Sequence, residues 1–133
     1  MITRMFVPDK RRSDHADEIF GIHFSLAIEP TIFMFADRLS PDYHGGYWQF
    51  SVLSNGGFYM VPDDTAYTMI SDNGFKGTLS AEAFGITVCL YAFSHLSFSG
   101  NGDLAEQCGR QFHLLRDFML DHAEAGAIMA AID

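Results

Sequence analysis

The chain has 133 residues, 48% of them hydrophobic and 19% charged, with a net charge of −9. That length supports one domain with a proper core and no need of disulfides or metal, and the composition is too apolar for disorder. The negative balance repels phosphates and argues against nucleic-acid binding through counterion release.

Charge is spread unevenly. Residues 1–38 carry five basic and six acidic side chains, whereas residues 39–133 carry three (Lys76, Arg110, Arg116) and eleven. The later acids are scattered, with no run longer than Asp63-Asp64, which fits ordinary solubility charge better than a carboxylate array imitating DNA. Cys89 and Cys108 stand in helical patterns, without a CxxC or Cys/His cluster, so a reduced cytoplasmic setting is the plain reading. Residues 1–12 lack the apolar core of a signal peptide. The longest nearly apolar run, residues 83–93, is too short to cross a bilayer and reads as a buried helix.

In chain order, Met5-Phe6-Val7 predicts a short edge strand ending at Pro8. Lys10-Arg11-Arg12, followed by Asp14, Asp17 and Glu18, reads as a mobile, self-neutralising arm over residues 1–18. Ile19, Phe20, Ile22, Phe24, Leu26 and Ile28 return to apolar character, half in alternation, and should pack on the core. Residues 30–39 form the first clear helix: Pro30 suits the first turn, and Ile32, Phe35, Ala36 and Leu39 share one face. Ser40-Pro41 ends it.

A β-hairpin at about 47–61 is the centre of the chain. Residues 47–53 and 58–61 are rich in aromatic and β-branched side chains. Asn55-Gly56 between them predicts a two-residue type I′ turn. Alternation assigns Trp48, Phe50 and Val52 to the core face and Tyr47, Gln49, Ser51 and Leu53 to the other. Two more strands follow, at residues 66–70 and 75–79, separated by Asp72-Asn73-Gly74. Ser80 then caps a helix running to about Leu96, with Glu82 placed for the dipole. A further helix over residues 103–122 shows a stripe of Leu104, Cys108, Phe112, Leu115 and Met119, with Glu106 and Arg110 as a supporting pair outside. A short last helix turns Ala127, Ile128, Ala131 and Ile132 inward. The expected architecture is therefore α+β: a small antiparallel sheet centred on the hairpin and packed against several helices.

Chemistry is sparse. His113, Asp117 and Asp121 follow helical spacing, a pattern that suits a cation but also the solvated face of an amphipathic helix. The bland reading is preferred, because a site needs more ligands and support. Ser94-His95 are chain neighbours whose side chains diverge by about 100°, so they make no nucleophile–base pair; His95 is expected at the core edge with a backbone partner. No GxSxG, HExxH, Walker or GxGxxG pattern occurs. No enzyme, cofactor or metal is expected.

Gly46-Tyr47-Trp48-Gln49-Phe50, with Leu53-Ser54-Asn55-Gly56-Gly57-Phe58-Tyr59-Met60 and Pro62, resembles the signature of the ArdB/KlcA antirestriction family. The likeness continues in Val7-Pro8-Asp9, Phe20-Gly21, Leu79-Ser80-Ala81-Glu82-Ala83, Gly85-Ile86, Ser94-His95, Leu115-Arg116-Asp117-Phe118 and the ending Ala127-Ile128 to Ala131-Ile132-Asp133. It covers nearly the whole chain in order. Ala123, where the family often has Pro, and Phe84, where a small residue is usual, depart from the pattern. The resemblance implies a non-enzymatic accessory protein of plasmids, prophages and other mobile elements, acting in the bacterial cytoplasm. Its partner would be the host type I restriction-modification complex, engaged directly or indirectly, without strong DNA binding or membrane attachment. Exposed loop residues beside a rigid hairpin are the natural contacts: Asp42, Tyr43, Tyr47, Asp63 and Asp64, with Asp133 at the terminus. Two alternatives stay open, an acidic DNA mimic blocking the same enzymes and a small-molecule enzyme using His113 with neighbouring acids.

Overall fold

The computed structural model describes residues 1–133. Its central element is α3 (Ala81–Leu96), buried at every residue from Ala83 to Leu90 and again at Ala92 and Phe93. A helix apolar all round has no face to give to water, so other elements must enclose it. Ser80 caps its start, its hydroxyl accepting the Ala83 N–H at 3.1 Å. The buried hydroxyl of Thr87 is satisfied by donating to the Ala83 carbonyl at 2.7 Å.

The strands form two sheets, where the sequence suggested one around the hairpin. The first has the order β1-β2-β3, all antiparallel, with β1 Arg4–Phe6, β2 Trp48–Leu53 and β3 Phe58–Pro62. Its register pairs Met5 with Val52 and Phe50 with Met60. The second pairs β4 Ala66–Ile70 with β5 Lys76–Ser80, Thr68 facing Thr78. Pro62, without an N–H, closes β3, and Asp63-Asp64 then turns the chain away from the first sheet.

The hairpin turn differs from the two-residue prediction. Gly56 N–H donates to Leu53 O at 2.9 Å and Leu53 N–H to Gly57 O at 2.8 Å. Within the turn only Gly56 has positive φ, at 93°, and Ser54 and Asn55 do not. This is a type I turn on Ser54-Asn55 followed by a glycine bulge, a three-residue loop that needs one left-handed residue where type I′ needs two. Asn55 anchors it: its Nδ2 donates to Leu114 O at 3.0 Å and its Oδ1 accepts the Gly57 N–H at 2.9 Å.

Trp48 and Phe50 are buried as expected, but so are Ser51 and Leu53, while Val52 is only half-buried. The hairpin is covered on both faces, so strict alternation fails. Phe20, Phe24, Phe50 and Phe58 interlock with centroids between 5.3 and 5.7 Å apart. Tyr59 stacks on Phe118 at 5.8 Å on the other side.

Residues 1–18, expected as a mobile arm, hold β1, a 3-10 turn at Asp9–Arg11 and most of α1 (Arg12–Phe20). Val7, Ala16 and Phe20 are buried. Arg12 lies with its guanidinium 4.3 Å from the Phe50 centroid, a cation–π contact that ties the basic run to the core. Beyond Gly21 a π-helical turn, Phe24–Ile28, runs into α2 (Glu29–Leu39). The apparent alternation over residues 22–28 was a helical spacing of four: Phe20, Phe24, Ile28 and Ile32 are buried, whereas Ile22 and Leu26 are exposed.

α4 (Gly102–Met119) carries its expected stripe except that Gln111 is buried and Phe112 half-buried. Glu106 and Arg110 make no ion pair with each other. α5 (Ala125–Ile132) closes the fold with Ile128 and Ala131 inward.

The tightest junction is where α3 meets β3. A Cβ built on Gly85 would stand 2.3 Å from Met60 O and 3.0 Å from Val61 Cα, both backbone atoms. Neither can swing aside. Gly85→Ala is expected to cost at least the ~1–3 kcal/mol typical of overpacking, measurable by urea unfolding, with a loss larger than for Gly109→Ala, where the added carbon meets nothing closer than 3.9 Å.

Candidate functional site

Four of the six sequence-predicted residues gather at the mouth of the β2–β3 hairpin, the end opposite the Asn55 turn. Trp48 pairs with Pro62 there, so Tyr47 and Asp63 flank the last rung. Asp42 belongs to the loop leading in; its Oδ2 accepts the Thr68 N–H at 2.7 Å, which ties the loop to β4 and holds its carboxyl below the usual range. Gly45 and Gly46, at φ 88° and 115°, take a path that side chains rarely adopt. The path lies against Asp63, whose Oδ1 would be 3.1 Å from a Cβ on Gly46. Asp64 Oδ1 accepts the Thr65 N–H at 2.7 Å. Tyr47 is 41% exposed, its hydroxyl donates to Asp9, and its ring carries the Arg12 guanidinium at 4.6 Å. The hydrogen bond to Asp9 raises its phenol pKa. The result is a rim of three exposed carboxylates and one held tyrosine on rigid strand ends.

Tyr43 is not part of it. At 8% exposure it is a core residue, with its ring 5.6 Å from Trp48 and its hydroxyl accepting the indole N–H at 3.1 Å. A buried indole N–H must find an acceptor, and Tyr43 supplies it. Asp133 is exposed but stands elsewhere: α5 is fastened by Asn73 Nδ2 to Ala130 O at 2.8 Å and by Tyr91 OH to Ala131 O at 2.7 Å. None of its hydrogen bonds reaches the rim.

A second polar assembly, unseen in the sequence, joins β1, the start of α3 and the α4–α5 connection. Glu82 accepts from His122 Nε2 at 3.0 Å through one oxygen and from Arg4 through the other. His122 Nδ1 accepts the Glu124 N–H at 2.9 Å, which fixes the tautomer with the proton on Nε2. Glu124 in turn accepts from the Ser80 N–H at 3.0 Å and from its hydroxyl. Partial burial raises the Glu124 pKa, but the two Ser80 bonds and His122 outweigh it and bring the carboxyl below its ordinary 4.5. Arg4, Glu82 and His122 border a cleft of about 660 Å³ with Phe118 and Asp121. Each oxygen of Glu82 and each nitrogen of His122 is already engaged, so the group fastens three segments and offers no free base. Its only sequence signal was the Ser80 cap; no spacing announces a partner 40 residues away in His122.

The remaining candidates are dispersed. His113 and Asp117 are exposed on α4, but the helix ends at Met119, so Asp121 leaves their face. No three His, Cys, Asp or Glu side chains gather closely enough to hold a metal ion. His95 is exposed and sits edge-on to Phe35 at 5.5 Å instead of bonding the backbone. Cys89 and Cys108 are buried and unpaired, and burial pushes their thiols up to about 12 and about 11. They are inert as nucleophiles.

The comparisons with known proteins decide the family. Residues 41–133 match the family model described as antirestriction protein. This chain belongs to the antirestriction protein family. It is 36% identical over 135 aligned residues to an antirestriction protein KlcA of Escherichia coli, covering 99% of this chain and 95% of that one. Another KlcA of Escherichia coli is 44% identical over 112 residues, covering 81% and 76%. The uncharacterised protein YafX of Escherichia coli K12 is 40% identical over 132 residues, covering 96% and 85%. A solved structure matches with a TM-score of 0.91 and 36% identity, covering 99% of this chain and 95% of its own; it is described as showing that KlcA and ArdB proteins have a novel fold and antirestriction activity against type I DNA restriction systems in vivo but not in vitro. The family resemblance read from the hairpin outward is thus confirmed, as is the α+β architecture.

The clasp of this antirestriction chain gives a signed pH dependence. Because the folded Glu124 carboxyl titrates below its ordinary 4.5, its stabilisation is full above that pH and is lost as pH falls through the lowered value. Thermal melting of wild type and Glu124→Gln should differ at neutral pH and converge in acid as the pH falls through the lowered value.

Proposed function

We propose that this protein relieves DNA restriction by type I systems inside the bacterial cell, acting through protein contacts and without catalysis. The observation that carries the reading is the 36% identity and TM-score of 0.91, over 99% of the chain, to a structure described with that activity in vivo. The same description says that KlcA and ArdB lack the activity in vitro. A protein that occupied the enzyme's DNA channel would inhibit the purified complex as well. The contrast favours an indirect route through a further cellular component, and it speaks against DNA mimicry.

The side chains support binding over catalysis. Of the two imidazole–carboxylate contacts, the one shielded at both ends, His122 with Glu82, is saturated by neighbours, whereas in the other, His23 with Asp103 at 2.9 Å, the carboxylate is largely exposed. Both thiols are buried. No single helix is long and apolar enough to cross a membrane. In this reading the protein works in the cytoplasm of a host receiving mobile-element DNA. Asp42, Tyr47, Asp63 and Asp64 form the contact rim, because exposed polar groups on rigid strand ends recognise a partner with little ordering cost. Asp133 would be a separate contact.

The test is plating of unmodified phage on a host with a functional type I system, with and without the expressed gene, beside a matched host lacking that system. Expression should raise plating by orders of magnitude in the restricting host alone. Asp63→Lys combined with Asp64→Lys, both exposed, should abolish most of that gain while leaving the melting temperature nearly unchanged. Unaltered plating with abundant folded protein would refute the function. Full activity in the double variant would refute the rim.

A further inference from the structure

Both sheets are small, and most of their edges are held by the chain itself. On β3 the outward Met60 carbonyl lies against α3, with Cys89 Sγ 4.0 Å away. On β4 the outward Thr68 N–H donates to Asp42 at 2.7 Å, and on β5 the Ser80 N–H donates to Glu124 at 3.0 Å. β1 is different. Its register on β2 turns Val7 N–H to Phe50 O at 2.9 Å and Thr3 O to Ser54 N–H at 2.9 Å, with Met5 opposite Val52 between them. Backbone groups alternate in direction along an antiparallel strand, so the N–H and C=O of Arg4 and Phe6 point outward. No strand lies beyond β1, and its residues are all exposed, Met5 at 58% and Phe6 at 46%. The usual guards of an edge are missing, since no lysine, proline or bulge falls within Arg4–Phe6. Its one charge, on Arg4, is paired with Glu82 and lies over the Phe6 ring at 4.3 Å.

Outward backbone groups on an exposed strand are a template for another strand, and the sequence of β1 is complementary to itself. Outward residues must pair with outward residues, which limits the antiparallel registers between two copies. Arg4 opposite Arg4 sets like charges against each other. Phe6 opposite Phe6 brings Arg4 opposite Pro8, which has no N–H to donate. Arg4 opposite Phe6 satisfies the outward groups of both residues. It also places each guanidinium beside a second aromatic ring, on the face where Arg4 and Phe6 already meet. We propose that two copies of this chain pair through β1 in that register, about a twofold axis at Met5, to give one continuous sheet with the strands β1, β2 and β3 of each copy. The two Met5 side chains, exposed in the single copy, then face each other across the axis on the opposite face of the sheet. So short a strand buries less than the ~1,200 Å² of a standard interface, and the dimer is of the weak, concentration-dependent class. A net charge of −9 on each copy opposes it, so salt that screens this repulsion strengthens the pairing.

The experiment is sedimentation equilibrium of the full chain from micromolar to millimolar concentration, at low and at high salt. The average mass should rise from one chain towards two, and more steeply at high salt. Hydrogen exchange of the Arg4 and Phe6 amides, followed by NMR, should slow over the same range, while the Met5 amide, which faces β2, should change less. Met5→Lys and Met5→Glu, at an exposed position, should each keep the melting temperature of dilute wild type. Each should weaken association at least about tenfold, because like charges then face each other and the burial of Met5 on Met5 is lost. Mixed in equal amounts at low salt, the two variants should associate about fivefold more tightly than either alone, since only this register sets residue 5 against itself. A mass that stays at one chain to millimolar concentration overturns the proposal and leaves the edge to a strand of another protein. Association that leaves the Arg4 and Phe6 amides unaltered overturns pairing through β1. Indifference to Met5→Lys, or a mixture no tighter than its parts, overturns the axis at Met5.

Discussion

The fold depends on a backbone-to-backbone contact. α3 lies so close to β3 that Gly85 has no room for a methyl group beside Met60 and Val61. Such an approach lets a helix apolar on every side lie flush on a strand, and it leaves α2, α4 and α5 to cover the rest. The Cys89 thiol, one turn on from Gly85, points to the same Met60 carbonyl at 4.0 Å. A bulkier contact residue would push α3 outward and open voids along its whole buried length, where close packing makes each missing contact costly.

Around that contact the polar groups act as fasteners between segments distant in sequence. Asn55 pins the hairpin turn to α4, Asp42 pins the entering loop to β4, and Glu82 links β1 to the α4–α5 connection. Each places a charged or amide group where a backbone or side-chain donor or acceptor would otherwise go unpaired, and unpaired buried groups are what a fold can least tolerate. This explains why the acids near His122 look like a site yet offer no free reactive atom. What is left available to a partner protein is the set of exposed carboxylates at the hairpin mouth.

Much of the fold was legible in the sequence. The helix of residues 30–39, the Ser80 cap, the hairpin strands and the buried run at 83–93 were visible because each rests on a local signal: proline placement, an N-cap hydroxyl, β-branched alternation, unbroken apolarity. The segment at residues 19–28 misled because Phe24 and Ile28 satisfy periods of two and of four at once. The Asn-Gly turn misled because a type I turn with a glycine bulge uses the same dipeptide as type I′. Of the candidate contacts, Asp42, Tyr47, Asp63 and Asp64 came together, whereas Tyr43 went inside to receive the Trp48 indole proton.

By itself the sequence determined the class, α+β, the aromatic hairpin as its centre, and the family, because these reside in local pattern and in the order of motifs. Only the tertiary structure decided which strands pair into which sheet, that residues 1–18 are anchored by Arg12 on aromatic rings, and that Arg4, Glu82, His122 and Glu124 form one clasp. It also decided that the side-chain oxygen of Gln111 is buried without a partner while Glu106 and Arg110 make no ion pair. The physical reason is common to all of these: hydrogen bonds and charge pairs between distant segments depend on distances set by core packing, and no spacing along the chain encodes them.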